Sequence, residues 1–139
     1  MSKCLFSSPM IPIDVLLLVD DDIDDQQIFA EALETVDPSI KLLVASNGLE
    51  ALHKLNTPDS AQPDMIFLDL NMPMMNGKEF LQELKKTESF VNIPVIIYTT
   101  SSRPEDREQS LDLGAADFLV KPNNYRSLCE QLKEIIGVK

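Results

Sequence analysis

Apolar residues along the chain follow two alternating periods. Short apolar runs bounded by polar turns predict buried strands at Val15–Val19, Lys41–Ala45, Met65–Leu68, Val95–Tyr98 and Phe118–Val120. The segments between them carry helical spacing instead. Phe29, Leu33 and Val36 recur at i, i+4, i+7, and Leu49, Leu52 and Leu55 at i, i+3, i+6. Phe80, Leu81 and Leu84 mark a third helix, Glu105 to Leu113 a weaker fourth, and Leu128, Leu132, Ile135 and Ile136 a fifth. Turn chemistry agrees with these limits. Asp37-Pro38 stops the first helix, and Ser46-Asn47-Gly48 leads into the second. Pro94 precedes a strand where its missing N–H is harmless, and Gly114 closes the fourth helix at a left-handed position. Strands alternating with helices predict an α/β fold, a parallel sheet covered on both faces. The first, third and fourth strands are apolar throughout, as strands buried on two sides should be.

In open sheets of this kind, ligands sit beyond the carboxyl ends of the strands. Reactive residues should therefore cluster just after each strand, and they do. Asp20, Asp21 and Asp22 follow the first strand, Asp69 the third, Thr99 and Thr100 the fourth, and Lys121-Pro122 the fifth. The second strand delivers no obvious group, as expected of an edge away from the site. Converging carboxylates repel each other and raise each other's pKa values. A hard divalent cation relieves that repulsion, and Mg²⁺ favours carboxylates together with retained waters. A lysine beside the acids can grip a phosphoryl oxygen as a point charge, and a threonine hydroxyl can donate to the same group. Such a set can bind Mg²⁺ and accept a phosphoryl group on a carboxylate.

Composition narrows the class of protein. The 139 residues fit one domain, which we expect to run from 14 to 139 behind a short flexible leader over 1–13. Met10 is a second candidate for the natural start. The net charge of −11 disfavours direct binding to nucleic acid or to an anionic membrane surface. Cys4 and Cys129 match no metal spacing, and Cys129 falls on the apolar stripe of the last helix as a buried thiol. Reduced cysteines without a secretion signal or a membrane-length apolar run predict a cytoplasmic protein.

Taken in order, Val19-Asp20-Asp21-Asp22, the run from Asp69 through Asn71 and Met72-Pro73 to Gly77, Thr99 and Lys121-Pro122 resemble a two-component receiver domain. The likeness extends from about Asp14 to Val138. It implies a doubly wound (βα)5 sandwich with a five-stranded parallel sheet in the order 2-1-3-4-5. It also implies a single-domain response regulator rather than a turnover enzyme. By that resemblance Asp69 is the phosphoacceptor, and Asp21 binds Mg²⁺ (or Mn²⁺) directly. Asp20 reaches the metal through water, and Asn71 offers its backbone carbonyl. Thr99 and Lys121 contact the phosphoryl oxygens, and Phe118 is the aromatic that follows Thr99 when the domain switches. The implied phosphoryl donor is a sensor histidine kinase or a histidine phosphotransfer protein. Output passes to an unidentified downstream protein, with the chain a monomer or a phosphorylation-dependent dimer. A cis peptide bond before Pro122 is also expected from the family.

Some positions depart from the family pattern. Asn123 replaces the aromatic common after Lys-Pro, and Thr100 replaces a small residue, with an expected modest effect on dephosphorylation. Asp24 and Asp25 are read as helix N-terminal charge, and Asp22 as the helix cap. His53 should face water, being off the stripe of Leu52 and Leu55. Of Met72, Met74 and Met75, the first is expected to pack in the loop and the others to be partly exposed. Other functional classes fit the residues less well. A haloacid-dehalogenase-like phosphatase needs a second Asp two residues after its nucleophile, where this chain has Asn71. A phosphate-independent adaptor would be favoured by a missing acid pair, Asp69 or Lys121, and all are present. A flavin site fails because the first loop is acidic where a phosphate cradle needs N–H donors.

Overall fold

The computed structural model describes residues 13–57 and 62–137. Its elements in chain order are β1 (Val15–Val19), α1 (Ile23–Val36), β2 (Lys41–Ala45), α2 (Gly48–Asn56) and β3 (Met65–Leu68). They continue as α3 (Gly77–Lys86), β4 (Val95–Thr99), α4 (Pro104–Asp112), β5 (Asp117–Val120) and α5 (Tyr125–Ile136). The five strands form one parallel sheet in the order β2-β1-β3-β4-β5, as the resemblance implied. The expected leader lies outside the described residues except for Ile13, which is partly buried against the core.

Strand alternation divides the core in two. Leu17, Val19, Ile66, Leu68, Val95 and Ile97 point to one face, where Ala51 and Leu55 of α2 and Phe80, Leu81 and Leu84 of α3 cover them. Leu16, Leu18, Met65, Phe67, Ile96 and Tyr98 point to the other, under Phe29, Ala32 and Leu33 of α1 and Leu128, Cys129 and Leu132 of α5. On that second face Phe29, Phe67 and Tyr98 form an edge-to-face trio with centroids 5.1, 5.6 and 6.0 Å apart. Each such aromatic pair contributes about 0.5–1.5 kcal/mol beyond its buried area. The trio matters for function because Tyr98 lies one residue before the end of β4, so it anchors the floor of the site.

Caps fix where four helices begin, and hence where the loops after the strands stop. Asp22 accepts the backbone N–H of Asp25, Asn47 that of Glu50, and Asn124 that of Ser127. Asn76 and Glu79 form a reciprocal capping box at α3. The fourth helix starts differently, at Pro104 after Arg103, with no side-chain cap. Its only buried residue is Ser110, which accounts for its weak apolar pattern. Polar contacts dock it instead: Lys78 of α3 pairs with Asp106 at 2.8 Å.

Two readings need revision. Leu49 is 46% exposed, and the buried positions of α2 are Gly48, Ala51 and Leu55. A helix this short buries only a narrow stripe, and Leu49 sits beside it rather than on it. The peptide bond before Pro122 is trans, since no cis bond occurs among the described residues. Trans is the favoured X–Pro isomer by about 0.5–1 kcal/mol. Helix α5 begins at Tyr125 behind the Asn124 cap, two residues after Asn123.

Candidate functional site

Parallel strands of the central sheet end at one level, so the residues that follow them meet. The N–H of Asp20 bonds to Ala45, and that of Asp69 to Val19, which holds both loops to neighbouring strand ends. Oxygens of Asp20, Asp21 and Asp69 all lie within 4.8 Å of one another. Asp20 and Asp69 are buried and Asp21 is exposed, so the trio opens to solvent on one side. Three acids at this separation form an unfavourable arrangement unless cations stand among them. The donor set, hard oxygens on one open face, fits a divalent metal.

One cation is supplied by the chain. Lys121 Nζ stands 2.8 Å from Asp20 Oδ2, 2.7 Å from Asp25 Oδ2 and 3.5 Å from Asp69 Oδ2. It also lies 5.4 Å from the Tyr98 ring centroid. Burial alone would lower the lysine pKa, but its hydrogen bonds to Asp20 and Asp25 outweigh this and hold the ammonium charged. Burial is also the main reason Asp20 is pushed above the usual carboxylate range, only partly offset by Lys121. Tyr98, desolvated beneath the acids, is pushed up to about 12 and stays neutral.

Further residues frame the trio. Gln26 donates to the carbonyl of Asp20 at 2.6 Å, and the N–H of Asp22 donates to its carboxylate at 3.0 Å. The N–H of Asn71 donates to Asp69 Oδ1 at 3.3 Å, turning that loop back over the carboxylate. Gly77 is needed here because a Cβ would meet the Asp69 carbonyl and the Leu70 backbone. Beside the trio lies a cleft of about 470 Å³, walled by Asp21, Asn71, Met72 and Pro73 and by Lys78 and Asp106 across it. The neighbouring loop carries Met74, at φ 70° and 73% exposed, while Met72 is buried and Met75 half-buried.

The residues singled out from the sequence thus occupy two places. Asp20, Asp21, Asp69 and Lys121 come together, with Asn71 at their edge. Thr99 is fully buried at the end of β4, its carbonyl accepting from the Lys121 N–H at 2.7 Å. Phe118 is buried away from the acids, paired in register with Ile97. Residues paired across strands share a face, so Thr99 and Phe118 project to the same side of the sheet. His53 is exposed and takes no part. Asp25 was read only as helix-terminal charge, yet it makes the shortest ion pair with Lys121. Its place in the first turn of α1, just after the acids that follow β1, was the available signal. The Lys78–Asp106 pair links residues 28 apart in sequence and left no local signal.

Comparison with known proteins follows the same lines. Residues 16–133 match the family model described as "Response regulator receiver domain". The response regulator Rcp1 of Synechocystis sp. is 33% identical over 128 residues, covering 89% of this chain and 87% of that protein. The crystal structure of its Mn²⁺-bound form superposes with a TM-score of 0.78 at 32% identity, covering 89% of this chain and 90% of that one. A CpxR homolog of Haemophilus influenzae, a transcriptional regulatory protein, is 40% identical over 121 residues, 87% of this chain. The chain spans 49% of that relative's length, so the similarity concerns part of a longer protein. Among the described residues no helix is long and apolar enough to cross a membrane.

Proposed function

Because this chain belongs to the response regulator receiver domain family, we propose that it accepts a phosphoryl group on Asp69 from a phosphohistidine donor in a Mg²⁺-dependent reaction. The observation that carries this reading is the convergence of Asp20, Asp21 and Asp69 around one point, with the Lys121 ammonium beside it. The donor would be a sensor histidine kinase or a histidine phosphotransfer protein, and the modified chain would act by binding a further protein in the cytoplasm.

Each residue has a physical role in that step. A carboxylate oxygen of Asp69 attacks phosphorus, the P–O bond forms as the P–N bond to the donor imidazole breaks, and the leaving imidazole takes up a proton. Asp21, Asp69 and the Asn71 carbonyl would hold Mg²⁺ directly, with Asp20 acting through water. When bound, the metal supplies positive charge for the phosphoryl oxygens. Lys121 would neutralise a phosphoryl oxygen from the other side, and the Thr99 hydroxyl would turn to donate to another. Mn²⁺ is an alternative occupant of the same donors. The Thr99 movement would free space on the face it shares with Phe118, so the ring would follow and alter the surface of α4, β5 and α5. Thr100 is exposed beside the site and would modestly affect dephosphorylation.

Intact mass after incubation with acetyl phosphate tests the reading, with and without Mg²⁺ and alongside Asp69→Asn. One added phosphoryl group that requires both the metal and Asp69 is the expected result. A chain that gains no phosphoryl group and forms no beryllofluoride complex would instead act as a phosphate-independent adaptor.

A further inference from the structure

A lysine that is to serve a phosphoryl group on Asp69 should be free to turn toward it, yet this one is held more closely by two other carboxylates. The Lys121 ammonium is 2.7 Å from Asp25 and 2.8 Å from Asp20, and only 3.5 Å from Asp69. Its side chain is 10% exposed, so these contacts form in a weakly screened environment. Charge-assisted hydrogen bonds at such lengths are about twice as strong as neutral ones. The Asp25 carboxylate stands apart from the three that converge on the candidate metal position. Its backbone N–H is held by the Asp22 cap, so the start of α1 fixes where the carboxylate sits.

We propose that Asp25 is a positioning residue that draws Lys121 away from Asp69 and competes with any anion attached there. The proposal rests on Asp69 being the phosphoacceptor. Two effects act in the same direction. The Asp25 carboxylate stabilises the ammonium in the unmodified chain, and it repels the negative phosphoryl oxygens in the modified one. Removing its charge leaves Lys121 with Asp20 and Asp69, so an anion on Asp69 meets one competitor fewer. Asp24, next in sequence and exposed, makes no ion pair with Lys121 among the described residues. It provides the same change in net charge without the tether.

The test uses the full chain in saturating Mg²⁺, with beryllofluoride as the phosphoryl mimic and calorimetry as the readout. Asp25→Asn should bind beryllofluoride about fivefold more tightly than wild type, the loss expected for one partly exposed ion pair. Asp25→Ser, a second way of removing the charge, should do the same. Asp25→Glu restores the tether and should return to within about twofold of wild type, and Asp24→Asn should remain there too. Uptake of phosphoryl from acetyl phosphate, followed by intact mass, should rise in the same order. Equal affinity in Asp25→Asn and wild type overturns the proposal, as does an equal gain in Asp24→Asn, which would reveal net charge alone. Wild type that fails to bind beryllofluoride in Mg²⁺ removes the phosphoacceptor reading and this proposal with it.

Discussion

The guanidinium of Arg107 lies 6.0 Å over the ring centroid of Phe118, and its Nη1 reaches the Phe118 carbonyl at 3.5 Å. This contact ties α4 to β5 at the residue expected to move when the domain switches. It gives α4, which has little apolar surface to bury, a fixed position against the sheet. A cation over an aromatic face at a partly exposed site is worth about 0.5–1 kcal/mol. Arg107→Ala should therefore lower stability by about that amount in urea unfolding. Amide exchange across Asp117–Val120 should quicken in the same variant. Unchanged protection in β5 would mean that the ring is held by the core alone.

Metal should stabilise the fold, because the Asp20, Asp21 and Asp69 oxygens lie within 4.8 Å of one another. At roughly 100 times its dissociation constant, Mg²⁺ should add about 2.7 kcal/mol to unfolding. Thermal melting in chelator and in Mg²⁺ gives the measurement. Asp21→Asn should melt at nearly the same temperature in both. A metal effect that survives this substitution would locate the ion elsewhere.

Gly77→Ala should damage the site from outside it. The added Cβ would stand 2.7 Å from the Leu70 Cα and against the Asp69 carbonyl, both backbone atoms that cannot rotate away. Overpacking of this kind costs about 1–3 kcal/mol. The variant should lose that much in denaturant unfolding and bind beryllofluoride more weakly, since the Asp69 backbone must shift. Normal binding by a destabilised variant would separate the loop from the carboxylate.

The link between α3 and α4 should weaken in acid. Hydrogen bonds from Lys78 and then Ser101 hold the Asp106 carboxyl below its ordinary value of 3.8. A carboxylate with a depressed folded-state pKa contributes its stability above the unfolded value and loses it as pH falls through the folded one. Asp106→Asn should thus be less stable than wild type by about 0.5–1 kcal/mol at neutral pH. The difference should shrink once the pH falls below 3.8. Melting curves at neutral pH and at successively lower pH compare the two, and a gap that never narrows in acid would assign the loss to packing.

Much of this was legible from the order of residues. Strand limits at Val15–Val19 and Met65–Leu68 follow from local apolar runs, because a strand buried on both faces tolerates no polar position. The cap at Asp22 is equally local, its side chain bonding three residues ahead. The site was legible for a further reason. Parallel strands all end at one side of the sheet, so residues placed just after them must meet there whatever their distance in sequence. Asp20, Asp69 and Lys121 obey that rule.

Tertiary structure decided what the rule leaves open. Leu49 and Leu52 are equally apolar, but the angle at which α2 packs leaves Leu49 outside. Which acid holds Lys121 depends on how α1 packs against the rest of the fold, and it is Asp25 that comes closest. The Lys78–Asp106 pair likewise exists because two helices separated in sequence are set side by side by the sheet. Periodicity fixes which face of an element is buried, because that is a property of a single helix or strand. The partner of a charged side chain is chosen by ångström-scale distances between elements, and those arise only when the whole core packs.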